Sequence, residues 1–389
     1  MNWMNRRQSG WPSPAGGSWP RLAGFLVVVM SAAALSAQTL KYTKRPDAVH
    51  GETVYRSGCI ACHGDRGAGA APTSTEFVRP DTFPDFTRCD QTTPEPDINW
   101  KATIVHGGPG FGLSTIMPAF GELLSDEDIN DVIAYLRTMC TNPHWPRGEL
   151  NLPRAIVTEK AFPEDEFVLS TAANASGAPG FTTDYIHEQS FGAKTQLEVD
   201  LPQHDEDQNH QWQNGIGDIT FGLKRVLWSS LRTGSIVAVQ GGVLPPTGDS
   251  KRGFGAGTTT FEPFVSADQL FRTNTWVQFQ MGAELPVDPK KSPQSLFYYT
   301  ALGQTLAGDH RLGRQWSPMV EFLANRDLLD GAKTDWDVLP EMQVTLSKRQ
   351  HIRVDLGYRA PFINTAGRQG QVDFYILWDW ADGKFWEGW

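Results

Sequence analysis

Long apolar runs, clustered positive charge and fixed-period repeats are all missing from this 389-residue sequence. No apolar run reaches 18 residues, which excludes a bundle of membrane-spanning helices. The 34 basic residues form no long stripe and are outnumbered by 44 acidic ones. A nucleic-acid-binding protein needs clustered positive charge to displace counterions, so that class is excluded. The absence of a fixed-period repeat argues against a solenoid.

Cysteine is scarce, and its distribution divides the chain. All four cysteines precede residue 141, and the remaining sequence instead shows alternating apolar and polar residues separated by Gly, Pro, Asp and Asn. This change predicts a small all-α domain followed by an antiparallel all-β domain. We place the boundaries at 1–37 for a leader, 38–141 for the helical domain, 142–154 for a Pro-containing linker and 155–389 for the all-β domain.

The leader has the pattern of a secretory signal peptide. Arg21 precedes an apolar stretch of about 14 residues that ends at Leu35, and the small residues Ser36 and Ala37 follow. Cleavage after either small residue fits the pattern. The alternative is an uncleaved anchor, for which the stretch is short. Export places the mature chain in an oxidising compartment, where cysteines form disulfides.

Residues 59–63 read CIACH, the motif that attaches a haem covalently. The thiols of Cys59 and Cys62 are spaced to add to the two haem vinyl groups, and His63 then reaches the iron. A redox CxxC or half of a zinc site are the alternatives. A zinc site needs a second pair of ligands, and the other two cysteines do not form one. The motif therefore predicts one haem c.

Three residues are candidates for the sixth iron ligand: His106, Met117 and Met139. Pro118 disfavours a helix at Met117, which leaves the thioether free to point at the iron. Met139 lies in the last predicted helix, where a methionine usually joins the core, and His106 lies in a glycine-rich stretch. Met117 is the favoured ligand. With both axial positions filled, the iron is expected to carry electrons rather than act as a peroxidase or oxidase.

The residues around the haem motif carry a family resemblance: Gly51, Tyr55, Cys59, Cys62, His63, Met117, Pro118, Tyr135 and Leu136. Region 46–140 resembles class I cytochromes c. The resemblance implies a one-electron carrier with His63 and Met117 as axial ligands.

Helix signals flank the motif in this domain. We expect an N-terminal helix from about Pro46 to Ser57 and a last helix capped by Ser125. The insert at 79–89 departs from the family pattern. Cys89 and Cys140 are left over in an oxidising compartment and are predicted to form a disulfide.

Strict alternation in the second domain fits either a soluble sandwich or a membrane barrel. A soluble fold turns the apolar face inward, whereas an outer-membrane barrel turns it to lipid. Charged and amide residues recur on the polar face, and an aromatic residue, Trp389, follows the last strand. Aromatic residues also cluster near the predicted strand ends, as in interfacial girdles: Trp228, Phe271, Trp276, Trp316, Phe362, Trp378 and Trp380. These features favour an outer-membrane barrel. Its length of about 235 residues, at ~20 per strand and turn, predicts about 12 strands.

Two glycine-rich motifs, at 215–218 and 242–249, open and end predicted strands. With them, region 165–389 resembles the outer-membrane barrel family named for the meta-pathway of phenol degradation, which implies a role in aromatic uptake. Simple turn chemistry is the alternative explanation of both motifs.

Together these features predict an electron-transfer protein of the bacterial outer membrane, with its haem domain in the periplasm. Its expected partners are periplasmic redox carrier proteins and outer-membrane lipid. The alternative is a small-solute channel, possibly for aromatic compounds, with an accessory cytochrome.

Overall fold

The computed structural model describes residues 45–71, 77–80, 83–142, 144–208, 210–271, 274–310, 313–347, 349 and 351–379. The predicted signal peptide at 1–37, Trp380 and the aromatic residue at Trp389 lie outside the described residues. Within these ranges, no helix is both long and apolar enough to cross a membrane.

The first domain is helical. Its described helices are α1 (Ala48–Val54), α2 (Ile60–His63), α3 (Cys89–Thr92), α4 (Asp97–Gly110) and α5 (Asp126–Arg137). A π-helical turn, Tyr55–Cys59, joins α1 to α2, so the expected N-terminal helix is regular only as far as Val54.

Helices α1 and α5 cross at close range and form the centre of this domain. Ser125 caps α5 through a capping box, as the sequence predicted. A Cβ atom at Gly51 would lie 1.9 Å from the backbone oxygen of Asp131, so only glycine fits at the crossing. The rings of Tyr55 and Tyr135 pack beside it, with centroids 5.3 Å apart.

The second domain is one antiparallel sheet. Its strands are β1 (Glu166–Asn174), β2 (Gly180–Phe191), β3 (Thr195–Gln208), β4 (Gln211–Ile216), β5 (Thr220–Ser230), β6 (Ser235–Leu244), β7 (Thr260–Leu270), β8 (Thr275–Pro286), β9 (Ser295–Gln304), β10 (Leu306–His310), β11 (Gly313–Asp327), β12 (Asp335–Thr345), β13 (Ile352–Ile363) and β14 (Gln371–Asp379).

The sheet closes into a barrel of twelve strands. Segments β4 and β5 both pair with β3, and β9 and β10 both pair with β11, so each of these pairs counts as one interrupted strand. The sheet closes where β1 pairs with β14, with Glu166 opposite Asp379. The predicted all-β domain of about 12 strands is confirmed.

The barrel is polar inside and apolar outside. In β3, Leu197 and Val199 are 45% and 38% exposed, whereas Gln196 and Glu198 are 0% and 5% exposed. The exposed apolar side chains of the other strands follow the same rule: Phe221, Leu223, Phe261, Val265, Met281, Leu285, Leu296, Tyr298, Leu302, Leu356, Phe374 and Ile376. This is the arrangement of a membrane barrel and the reverse of a soluble fold, so the prediction of a membrane barrel is confirmed.

The residues expected in an aromatic girdle differ in their exposure, and the girdle itself stays a prediction. Trp228, Phe271 and Phe362 are exposed near strand ends. Trp276 is fully buried and faces the lumen, so its assignment to the girdle is wrong. Along β8 every second side chain faces the lumen, and Trp276 lies on the same face as Gln278 and Gln280.

Residues 150–165 lie inside the barrel and are called the lumen segment here. Its backbone N–H groups donate to side chains of the barrel wall, among them Glu321, which accepts from Val157 at 2.9 Å and from Thr158 at 2.6 Å. In all, the segment bonds to residues of nine strands, among them Glu166, Glu188, Gln196, Lys224, Asp268, Gln278, Gln280, Glu321, Glu341, Gln343 and Tyr375. After the 3-10 turn Gly148–Leu150 the segment has no helix or strand, and the polar wall supplies the hydrogen-bond partners of its backbone.

The two ends of the barrel differ in their connections. The end next to the helical domain, where Arg349 contacts Gly112, has the described connections 192–194 and 231–234. The opposite end has the described connections 175–179, 245–259, 287–294, 328–334 and 364–370, of which 245–259 is the longest. Short connections therefore gather on the side of the helical domain.

Candidate haem site

A cavity of about 310 Å³ opens in the helical domain. All four residues predicted to hold a haem line it: Cys59, Cys62, His63 and Met117. The rest of its wall is mostly apolar, including Phe83, Phe86, Trp100, Ile104, Phe120 and Leu136. An apolar slot with two thiols and an imidazole in its wall fits a covalently held haem.

The two thiols are free and close to the core. Cys59 lies at the end of the π-helical turn and Cys62 in α2, and neither forms a disulfide. Burial raises the pKa of the Cys59 thiol, and the neighbouring Cys62 raises it further. The hydroxyl of Tyr55 donates to the carbonyl oxygen of Gly64 at 2.7 Å. This hydrogen bond connects the turn before the motif at 59–63 to the residue after it.

His63 is prepared to bind a metal. Its ring stacks on Phe83 with centroids 5.0 Å apart, and Phe86 packs at 5.2 Å. Burial lowers the pKa of His63 to about 4, so the imidazole is neutral at pH 7, the form that binds metals. Its Nδ1 atom is buried without a hydrogen-bond partner among the described residues. Binding a metal through this imidazole would offset the free-energy cost of burying its polar atoms.

Met117 is held at the cavity by its own backbone. The N–H of Gly108, at the end of α4, donates to the carbonyl oxygen of Met117 at 3.0 Å. A Cβ atom at Gly107, whose φ is 71°, would lie 2.8 Å from the same oxygen. The loop can therefore approach α4 only because glycine occupies this position.

The two other candidate ligands do not line this cavity. His106 is exposed on α4. Met139 packs against the core cluster around Tyr55, with its sulfur beside Gly67. Of the three candidates, the structure brings only Met117 to the cavity that His63 lines.

Cys89 and Cys140 are bonded, with an S–S distance of 2.04 Å. The bond joins α3, which follows the insert at 79–89, to the residues just after α5. Next to it, the guanidinium of Arg137 lies 3.8 Å from the ring centre of Trp100, a residue of the cavity wall. Together these contacts hold the wall against the last helix.

A charged network that the sequence did not reveal joins the helical domain to the linker that leads into the barrel. The carboxylate of Asp97 accepts from Arg137 at 2.8 Å and from Arg147 at 2.9 Å, and Arg147 also donates to Glu149 at 2.8 Å. Arg147 and Glu149 lie in the predicted linker 142–154. The linker is therefore bound to α4 and α5 immediately before the chain enters the lumen.

A second cavity, of about 680 Å³, lies between the two domains. Its wall combines residues of the helical domain with barrel residues such as Arg349, Arg353 and Asp379. Gln91, Glu95 and Asn99 line both cavities, so the polar side of the haem cavity faces the mouth of the barrel. The sequence offered no signal for this adjacency, because its parts are more than 200 residues apart.

Comparison with known proteins supports the assignment of the first domain. Residues 48–139 match the family model of cytochrome c. The thiosulfate dehydrogenase of Allochromatium vinosum is 30% identical over 100 residues, which cover 26% of this chain and 34% of that protein. The chain thus spans about a third of the length of this curated relative. A cytochrome c domain implies electron transfer through covalent haem.

Solved structures similar to the barrel are outer-membrane proteins. An outer membrane channel from Pseudomonas putida F1 has a TM-score of 0.41 at 11% identity, covering 58% of this chain and 99% of its own. The KdgM porin has a TM-score of 0.35 at 9% identity, covering 55% and 99%. The resemblance of region 165–389 to the phenol-degradation family is not confirmed and stays a prediction.

Proposed function

We propose that this protein is a one-electron carrier whose single haem c is anchored at the bacterial outer membrane, with the haem domain in the periplasm. The observation that carries the proposal is the meeting of Cys59, Cys62, His63 and Met117 at one apolar cavity. The assignment of each ligand is part of the proposal.

A bound haem would supply an iron centre that gains and loses one electron. Cys59 and Cys62 would hold it through thioether bonds, and His63 and Met117 would be its iron ligands. A thioether ligand favours the ferrous state and so raises the reduction potential. The aromatic wall would shield the haem from water, and with both His63 and Met117 as ligands the site would transfer electrons without binding oxygen or peroxide.

The periplasmic orientation rests on the connections of the barrel. Outer-membrane barrels have short periplasmic turns and longer extracellular loops. The short connections here lie on the side of the helical domain, and 245–259 lies on the other. The chain also enters the barrel from the short-turn side, at Glu166.

The lumen segment favours an anchoring role for the barrel over the alternative of a solute channel. The segment crosses the lumen at the end next to the helical domain and is bonded to nine of the twelve strands. Several of its side chains are nearly inaccessible, including Leu150 at 1% and Thr158 at 1% exposed. A solute would have to displace this chain to pass.

The acidic character of the protein indicates the kind of redox partner. Without residues 1–37, which contain three arginines and no other charged residue, the net charge changes from −10 to −13. Such a surface attracts carriers that have positive patches, and salt slows their association. The relative named thiosulfate dehydrogenase also makes thiosulfate a substrate to test, because the cavity between the domains adjoins the haem cavity.

The test of the ligand assignment replaces Met117 by Ala in the full chain, with Met139→Ala as the matched control. We expect the Met117 variant to lose the near-infrared sulfur-to-iron band of the ferric protein and to have a lower reduction potential. The Met139 variant should keep the band, because that sulfur packs in the core. A band that persists in the Met117 variant would refute the assignment.

A further inference from the structure

One side chain of the barrel reaches the helical domain beside the haem cavity. Arg349 lies in the connection between β12 and β13, and its Nε donates to the carbonyl oxygen of Gly112 at 3.0 Å. Gly112 belongs to residues 111–119, called the methionine loop here. Met117 and its neighbours in this loop, Phe111, Leu113, Ser114, Ile116 and Pro118, line the haem cavity.

The methionine loop has few internal restraints at its tip. Its ends are held against α4, where Leu113 donates to Gly108 and Gly108 donates to Met117. Thr115, Ile116 and the two residues after Met117 are exposed. Gly112 has a φ of 74° and occupies the bend at which the loop leaves α4. The bond from Arg349 fixes the carbonyl at this bend.

We propose that Arg349 is a positioning residue for Met117, so that contact with the barrel strengthens the hold of the thioether on the iron. The inference rests on the proposed function, in which Met117 is the sixth ligand. A donor from a charged group restrains a carbonyl more strongly than a neutral donor does. When the bend at Gly112 is restrained, the loop has fewer conformations in which the Met117 sulfur lies outside the cavity.

The experiment measures the binding of imidazole to the ferric full-length protein, since imidazole competes with the thioether. Arg349→Met removes the donor while keeping a side chain of similar length. Arg349→Gln places an amide N–H donor the same number of bonds from the backbone as the Nε of arginine. Arg232→Met is the control for lost charge, because Arg232 is exposed on a connection at the same end of the barrel.

We expect Arg349→Met to bind imidazole about tenfold more tightly, which corresponds to ~1.4 kcal/mol of lost loop restraint. Arg349→Gln, whose neutral donor restrains the carbonyl less, should fall between Arg349→Met and the wild type, and Arg232→Met should stay within about twofold of the wild type. The same Arg349→Met change made in the Met117→Ala background should have no effect, because no thioether is left to displace.

The outcomes separate the two proposals. If the wild type lacks the sulfur-to-iron band, the ligand assignment fails and the positioning role fails with it. If the band is present and Arg349→Met binds imidazole like the wild type, only the positioning role is wrong. An equal gain of affinity in the Met117→Ala background would also overturn it. Where Arg349→Met does not fold, a wild-type affinity in Arg349→Ala would overturn the positioning role in the same way.

Discussion

Arg154 offers the sharpest test of the lumen segment. Its Nη1 donates to Glu166 at 2.7 Å and to Glu188 at 2.8 Å, and both carboxylates are 0% exposed. Replacing Arg154 by Met leaves these carboxylates without their bonded cation. Breaking a buried ion pair in this way costs ~3–5 kcal/mol. If that cost falls on the bound state of the segment, the population of the displaced segment rises roughly 150- to 5,000-fold.

The assay is the conductance of the purified full chain in planar bilayers. We expect the wild type to conduct little and Arg154→Met to show frequent openings. The triple variant Arg154→Met, Glu166→Gln, Glu188→Gln should conduct less than Arg154→Met. It removes the two carboxylate charges together with the arginine, so no buried charge is left unpaired. A heat-modifiable, folded Arg154→Met barrel that conducts no more than the wild type would show that this charge does not hold the segment in place.

Three further predictions concern stability. Gly51→Ala should lower the guanidinium midpoint of the haem domain by about 0.3–0.8 M, from ~1–3 kcal/mol of overpacking, whereas Thr53→Ala on the exposed face should not. The double variant Cys89→Ser, Cys140→Ser should lose ~3–4 kcal/mol of stability yet keep its haem, as haem staining after reducing electrophoresis would show. Leu223→Lys should cost ~2–4 kcal/mol of barrel stability, read from unfolding in lipid vesicles, if this outer face meets lipid.

The haem site could be predicted because its signals are local. The five residues at 59–63 specify spacing and chemistry together, and Pro118 marks a loop beside Met117 without reference to the rest of the chain. The alternation of Leu197 and Val199 with Glu198 likewise predicts which face is polar. The closed barrel then follows from the strand count and the need to pair every edge.

The lumen segment could not be predicted, because its partners are distant in sequence. Val157 and Thr158 owe their place to Glu321, which lies more than 160 residues away. In the sequence, Arg154 ends a linker and carries no sign of burial. The girdle assignment of Trp276 is wrong for a related reason, since an aromatic residue near a strand end suits either a girdle or a packed lumen. Only the register of β8 decides between them.

The lumen segment also constrains how the protein can be assembled. It immediately precedes β1, and β1 meets β14 at the seam that completes the cylinder. Its contacts come from strands on every side, so the wall has to be wrapped around it before the seam shuts. We expect the helical domain, attached just ahead of it, to stay at the entrance during assembly. This would leave the domain on the side from which the polypeptide arrives, in agreement with the proposed periplasmic orientation.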